Sequence, residues 1–244
     1  MVLNRLGAII DRTIRTSLLR DYFGSVGIVD VVLDLGCGER PYRHIYDPHC
    51  RKSIGADLPG APFAQAGVDI ECYATDVPLP DGSVDIILCS EVMQDIREPA
   101  DLARETWRLL KPGGTLVLTT PFMVPIADGE YDHYRFTEHG LRYILGKQGY
   151  SIRCVETVGD NFGTLTAFFV KPQLKVWNYL AKGARLPVIY TLWNPFIFLF
   201  VFLPQALYLA LYYLGRRLRT VRRVLQKFAH GPLGYVVIAD KPRD

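Results

Sequence analysis

Val31-Val32-Leu33-Asp34-Leu35-Gly36-Cys37-Gly38-Glu39 decides how this chain folds. An aliphatic run ends in an acid and then a glycine turn. That order marks the carboxyl end of a buried parallel strand, where an α/β sheet holds a nucleotide-type ligand. Gly36-x-Gly38 supplies a tight turn and exposed backbone amides. A dinucleotide pattern requires another glycine next, and Arg40-Pro41 stands in its place. The strict dinucleotide fingerprint is therefore absent.

Outward from this turn, strands and helices alternate. Residues 29–35 read as the first strand, 52–57 as the second, and 84–89 as the third, after the turn Pro80-Asp81-Gly82-Ser83. A helical pattern over 98–110 stops at Lys111-Pro112-Gly113-Gly114, and the β-branched run 115–120 is a strand ending at Pro121. Thr137 caps a helix over 138–147. Residues 151–157 and 233–239 are late strands. Such alternation predicts an α/β fold, a parallel sheet with helices on both faces. Ligands then bind beyond the carboxyl ends of the strands. Residues 34–40, 57, 89–95 and 120–135 fall at those ends, scattered in sequence but converging in space.

The 244 residues fit one large domain, or one domain with a substantial insertion. The expected organisation is an amphipathic N-terminal helix (1–24), a core (25–185), an apolar and basic helical insertion (186–230), and a final strand returning to the core (231–244). A net charge of +3 without a basic run interleaved with aromatics argues against a nucleic-acid partner. Cysteines 37, 50, 72, 89 and 154 lie far apart, form no CxxC pair and predict neither a metal site nor a disulfide framework. A reducing, cytoplasmic setting follows, and residues 1–24 do not read as a cleavable signal. Leu3, Leu6, Ile10, Ile14 and Leu18 recur at helical spacing among Arg5, Arg12, Arg15 and Arg20. This helix either covers the core or lies on an anionic membrane.

Residues 31–120 resemble the cofactor half of class I S-adenosylmethionine-dependent methyltransferases, of the methyltransferase type 11 kind. The matching run is Val-Leu-Asp-Leu-Gly-Cys-Gly at 32–38, then Ala56-Asp57, then Pro78-Leu79-Pro80-Asp81-Gly82-Ser83-Val84-Asp85, then Ser90-Glu91-Val92, and finally Leu109-Leu110-Lys111-Pro112-Gly113-Gly114. The resemblance implies a Rossmann-like, mostly parallel seven-stranded sheet, with S-adenosylmethionine as cofactor. It assigns the methionine end to Asp34 and the amides of Gly36, Cys37 and Gly38. Asp57, with Leu58 beside it, would accept bonds from both ribose hydroxyls, a task suited to an acceptor-only carboxylate. Ser90 and Glu91 join this set. The family usually has an acid near position 73 that reads the adenine amine. Tyr73 stands there, and Asp76, followed by Val77, takes the role if the loop shifts. Relatives commonly have a histidine at position 95, where this chain has Asp95. Arg40 admits two readings, a salt bridge to a core acid or an anion site at the substrate entrance.

The stretch Asp128-Gly129-Glu130-Tyr131-Asp132-His133-Tyr134-Arg135-Phe136-Thr137 follows the fourth strand, where acceptors bind in this fold. A similar stretch occurs in a subset of these methyltransferases linked to glycan or lipid modification. His133 is the general-base candidate, because imidazole ordinarily titrates near neutral pH, and Asp132 or Glu130 would orient it. Bracing of the loop is the competing role for His133. Tyr131 and Tyr134 wall the pocket. Arg135 either grips a phosphate or carboxylate or pairs with Glu138. Nitrogen methylation in related enzymes often uses an Asn/Asp-Pro-Pro-aromatic element, which Thr119-Thr120-Pro121-Phe122 does not match, so an oxygen acceptor is expected.

From Leu186 to Gly215 there is no charged residue, and 17 of the 19 residues over 196–214 are apolar or aromatic. That meets a length test for a membrane span. A single crossing, however, would strand the final strand on the wrong side. Pro195 and Pro204 point instead to broken helices forming a shallow hairpin or a lid. Arg216, Arg217, Arg219, Arg222, Arg223 and Lys227 follow without an acid among them and suit anionic headgroups. Trp177, Trp193, Tyr208, Tyr212 and Tyr213 suit interface depth. Packing against the core or in a homodimer is the alternative. The expected function is methyl transfer from S-adenosylmethionine to a hydrophobic or lipid-linked acceptor, at oxygen. The protein would sit peripherally or monotopically on the inner face of the cell membrane. The alternatives are a methyltransferase for a soluble metabolite, with the apolar segment as lid or dimer interface, and a non-enzymatic scaffold.

Overall fold

The computed structural model describes residues 2–60, 67–124, 126, 131–159, 164, 203, 207, 210, 214 and 231–243. Two compact units emerge, one of Arg15–Glu156 with Gly234–Asp244, the other of Met1–Ile14 with Thr157–Leu233. The boundaries expected at 185 and 230 lie outside the described residues. Most of the 186–230 insertion, with its prolines, tryptophans and basic run, lies outside the described residues. So do Asp128, Gly129 and Glu130.

The chain runs α1 (Val2–Ser25), β1 (Val29–Leu35), α2 (Arg43–Tyr46), β2 (Cys50–Asp57), β3 (Ile70–Glu71), β4 (Val84–Ser90), α3 (Pro99–Leu109), β5 (Leu110–Pro121), α4 (Glu138–Gln148), β6 (Ser151–Val158) and β7 (Gly234–Asp240). The strands form one seven-stranded sheet in the order β3-β2-β1-β4-β5-β7-β6. β1 pairs in parallel with β2 and β4, and β4 with β5, while β7 runs antiparallel to β5. This is the mostly parallel, Rossmann-like, seven-stranded sheet that the resemblance implies. The order reverses direction between β1 and β4, and a crevice opens at such a switch point beyond the strand ends.

The central strands are apolar on both faces. Leu33, Leu35, Ile87, Cys89, Leu116 and Leu118 are buried on one face, and Val32, Ile86, Leu88 and Val117 on the other, as expected for strands covered on both sides. α4 starts as predicted, with Thr137 Oγ1 accepting from the Gly140 amide at 3.1 Å, and closes on left-handed Gly149. Its end packs on α3, where the Trp107 and Tyr150 rings meet edge-on at 4.9 Å.

Three features depart from the sequence reading. β5 begins at Leu110 and not at Thr115: Val84 pairs with Leu110 and Ile86 with Thr115, so residues 111–114 form an irregularity inside the strand pairing. β3 is only two residues long, too short for a periodic signal. β2 begins at Cys50, two residues before the expected start at Lys52; of the α1 arginines, Arg15 is buried and Arg12 and Arg20 are exposed.

Candidate functional site

The end of β1 turns through Gly36 (φ 71°), Gly38 (φ 52°) and Arg40 (φ 53°), three left-handed residues within five. Gly36 has a steric requirement as well. A Cβ there would lie 2.1 Å from Cγ2 of Val92, so no side chain fits between the turn and the segment that leaves β4. The sequence reading has the amides of this turn face a ligand. They are instead engaged within the protein: Gly36 and Cys37 N–H both donate to Ala56 O (2.8 and 3.1 Å), and Gly38 N–H donates to Asp57 Oδ2 at 2.6 Å. The turn is thus strapped to the end of β2, and it offers a ligand close backbone approach, not free donors. Burial pushes the Cys37 thiol up to about 12, with Asp34 and Asp57 adding to the effect, so it is neutral.

Asp57 ends β2 with both carboxylate oxygens held by backbone amides, Oδ2 by Gly38 and Oδ1 by Leu58 at 2.7 Å. Each oxygen keeps acceptor capacity, and the two bonds fix the carboxylate beside the glycine turn. The Leu58 side chain is exposed next to it. At the end of β3, Tyr73 and Asp76 are both exposed and are paired through an isolated antiparallel bridge. Val77 is buried, and its N–H donates to Glu105 Oε1 at 2.8 Å, so it supports the loop from beneath.

Asp34 is 2% exposed. Its Oδ2 accepts from Tyr46 Oη at 2.8 Å, and Tyr46 Oη accepts from Arg40 Nε at 3.0 Å. Burial raises the Asp34 carboxyl; the Tyr46 bond and the Arg40 charge pull it down, Asp57 and Asp47 push it up, and the outcome is about 7. A carboxyl raised on folding holds its proton more tightly folded than unfolded. Its stabilising contribution is therefore complete below about pH 4 and is lost as pH rises through about 7. The thermal midpoint of the ligand-free protein should accordingly fall more steeply from pH 5 to pH 8 than that of Asp34→Asn, which lacks this proton. Scanning calorimetry giving the same pH slope for both would refute the assignment.

Arg40 makes a salt bridge, but its acid, Asp69, is exposed and is not a core acid. Arg40 is buried, and its guanidinium contacts Asp69 Oδ2 (3.0 Å) and Ser53 Oγ (2.9 Å) in addition to Tyr46. Sequence reasoning does not single out Tyr46, which is only an aromatic six residues beyond Arg40.

At the end of β4, Ser90 Oγ and Thr119 Oγ1 are 2.9 Å apart, and Thr119 Oγ1 donates to Glu91 Oε1 at 3.1 Å. Glu91 has φ 58°, and its other oxygen pairs with Arg15 of α1 at 3.3 Å. Arg15 is 7% exposed. Its place at the site carries no sequence signal either, because helical periodicity cannot report a contact with residue 91. Asp95 accepts from Gln94 Nε2 at 3.0 Å.

The segment 131–136 docks on the loop after β4, where His133 and Tyr134 N–H both donate to Gln94 O (2.9 and 3.1 Å) and Tyr134 Oη donates to Arg97 O at 2.8 Å. Tyr134 stacks on Phe136 with ring centroids 5.5 Å apart. His133 is exposed beside Tyr134. Arg135 forms a two-pronged ion pair with Asp132, whose side chain is 3% exposed. Asp132 thus pairs with Arg135; Glu130, the other acid expected to orient His133, lies outside the described residues. The expected Arg135 partner, Glu138, pairs with Arg142 at 2.8 Å.

Residues 33–118 match the family model described as a methyltransferase domain. The chain carries a class I S-adenosylmethionine-dependent methyltransferase domain. It is similar to the ubiquinone biosynthesis O-methyltransferase of Pseudomonas aeruginosa (strain LESB58), with 30% identity over 128 residues, 47% of this chain and 51% of that one. The chain spans about half or less of the length of the curated relatives it matches. Among solved structures, the [4+2]-cyclase SpnF aligns with a TM-score of 0.57 at 20% identity, over 96% of this chain and 81% of that one. An S-adenosylmethionine-dependent methyltransferase from Archaeoglobus fulgidus aligns with a TM-score of 0.54 at 15% identity, over 94% of each chain. At such identities these structures speak for the fold, and a fold shared with a cyclase does not by itself name the reaction.

S-adenosylmethionine is the cofactor of this methyltransferase domain, and the residues present fit it. The left-handed glycine turn lies at the carboxyl end of β1, with no side chain at Gly36 or Gly38. Asp34 is a buried carboxyl with its pKa raised, which a cationic ligand would relieve. Asp57 has acceptor capacity for a diol.

Proposed function

We propose that the methyltransferase domain transfers a methyl group from S-adenosylmethionine to an oxygen of a hydrophobic or lipid-linked acceptor, with the protein held peripherally on a membrane face. The observation that carries the lipid part is a row of apolar residues in the second unit. Leu203, Leu207, Ala210 and Leu214 are each helical and exposed, the leucines at 50%, 59% and 52%. Their spacing of four, three and four is that of one helix face. Six basic residues follow between 216 and 227 without an acid, the complement of an anionic lipid surface. Among the described residues no helix is long and apolar enough to cross a membrane, which is compatible with surface binding. The relative named for O-methylation in ubiquinone biosynthesis supports an oxygen acceptor on a hydrophobic small molecule.

Bound S-adenosylmethionine supplies a methyl group already activated on a sulfonium. The chain's own residues have to bind, orient and accept one proton. In this reading Asp57 holds the ribose, while Asp34 faces the cationic methionine end. Ser90 and Glu91 line the crevice after β4, and Asp76 lies on the adenine side. His133 accepts the acceptor hydroxyl's proton, Tyr134 walls the pocket, and the Asp132–Arg135 pair keeps the loop in shape.

The test uses methyl-labelled S-adenosylmethionine with a lipid extract and a soluble extract of the source cell, side by side. Label is expected in the lipid extract. His133→Ala should lower that transfer by about 100-fold or more with cofactor affinity unchanged. Wild type should float with anionic liposomes. Neutralising the six basic residues should release it at moderate salt, each being worth about 1 kcal/mol near such a surface. Label confined to a soluble product, with no flotation, would replace this reading by a soluble-metabolite methyltransferase whose apolar segment is a lid or dimer interface.

A further inference from the structure

Beneath the glycine turn lies a buried polar chain that the methyl-transfer reading does not itself require. Tyr46 is fully buried at the end of α2, with Phe23 of α1 beside its ring (centroids 6.1 Å apart). Its hydroxyl bridges a buried cation and a buried acid: it accepts from Arg40 Nε and donates to Asp34 Oδ2. Arg40 is itself fixed on its outer side. One terminal nitrogen reaches Asp69 Oδ2 at 3.0 Å and Gly67 O at 3.4 Å, the other Ser53 Oγ at 2.9 Å. Asp69 Oδ2 also accepts from Gly55 N–H at 2.8 Å, and Ser53 Oγ donates to Asp47 Oδ1 at 2.7 Å. Arg40 adopts φ 53°, a conformation costly for a residue with a side chain. Gly55 and Gly67 leave no space beside the arginine stem: a Cβ on either would lie 3.1 and 3.2 Å from it, respectively. The fold therefore surrounds this cation with fixed partners and connects it to Asp34 through the Tyr46 hydroxyl.

We propose that Tyr46, backed by Arg40, is a positioning residue for cofactor binding: its hydroxyl aims the Asp34 carboxylate and carries the Arg40 charge to it, so that Asp34 is an anion when the cationic methionine end arrives. A hydroxyl between a cation and an anion is polarised in one direction, and charge-assisted bonds of this kind are the strong ones in a low-dielectric interior. The groups that face Asp34 are Tyr46, Arg40, Asp57 and Asp47, with the neutral thiols of Cys37 and Cys89. Arg40 is the cation of that set, and Tyr46 is the contact through which it acts. The proposal rests on the reading of Asp34 as the group that faces the cofactor's cation.

Calorimetric titration of S-adenosylmethionine into the full-length protein from pH 6 to pH 8 tests it. Wild type should bind more weakly as pH falls below about 7, by about tenfold per unit where Asp34 must lose its proton first. Tyr46→Phe, which removes the hydroxyl and keeps the ring, should weaken binding at pH 7 by about tenfold or more. It should also move the pH at which binding weakens upward. Asp69→Asn, at an exposed position, leaves the Arg40 charge less neutralised and should move it downward by a smaller amount, and it carries the comparison if Tyr46→Phe does not fold. A merely structural tyrosine would lower the thermal midpoint and leave that pH unchanged, which would overturn the proposal. Wild type that binds S-adenosylmethionine with no pH dependence would overturn it too. Wild type that binds no S-adenosylmethionine at all would overturn the underlying cofactor reading as well.

Discussion

Asp57→Ala is expected to weaken S-adenosylmethionine binding by about 100-fold or more while the protein remains folded. Two hydroxyls of a ribose would lose an ionised acceptor, and each hydrogen bond to a charged group is worth roughly 1.5–3 kcal/mol. The fold should survive, because Asp57 is a half-buried residue at a strand end, and the amides it releases, Gly38 and Leu58, lie at the edge of the crevice where water can reach them. Asp57→Asn should fall between the two. Its oxygen can serve one partner, but its NH2 would face either the Gly38 amide or a hydroxyl that needs an acceptor. Calorimetry with Asp57→Ala at wild-type affinity would remove Asp57 from the cofactor site.

Gly36→Ala should be strongly destabilising for a single-methyl change. The added Cβ would lie 2.1 Å from Val92 Cγ2, and φ at this position is 71°. The left-handed backbone costs about 1–2 kcal/mol for a residue with a side chain, and forcing a methyl into a packed contact costs about 1–3 kcal/mol more. A loss of roughly 3 kcal/mol corresponds to a drop of about 6–12 °C in Tm for a domain of this size. Cofactor binding should fall with it, because the turn and the Ser90–Val92 segment would move apart. The double variant Gly36→Ala/Val92→Ala separates the two causes: it removes the clash but not the backbone cost. Partial recovery of Tm is expected. An unchanged Tm in the single variant would show that the turn can relax, and that the contact with Val92 does not constrain it.

Asp57 and Gly36 are both legible along the chain, since each follows a recognisable apolar strand and the residue type states its task. The same holds for the strands over 29–35 and 84–90, which are apolar because both faces are covered, and for the Thr137 cap of α4. Segments whose role depends on local periodicity or on a short turn can be read in this way. Short elements without a repeat cannot, which is why neither the two-residue β3 nor the irregular start of β5 at Leu110 leaves a signal in the sequence.

The sequence by itself determined the α/β class, the glycine turn after β1, the acid after β2 and the convergence of four strand-end segments. Tertiary structure alone decided which groups meet. Arg15 and Glu91 are 76 residues apart along the chain, yet only 3.3 Å separates their charges. Tyr46 lies beneath Asp34 because α2 returns under the turn, Asp132 pairs with Arg135, and His133 is exposed. The glycine-turn amides, legible as donors, are spent on Ala56 and Asp57 because β2 lies alongside β1. The physical reason is common to all of these. Backbone preference and hydrophobic period act over neighbouring residues, whereas the partner of a buried charge is whichever group the packed sheet brings within hydrogen-bond reach.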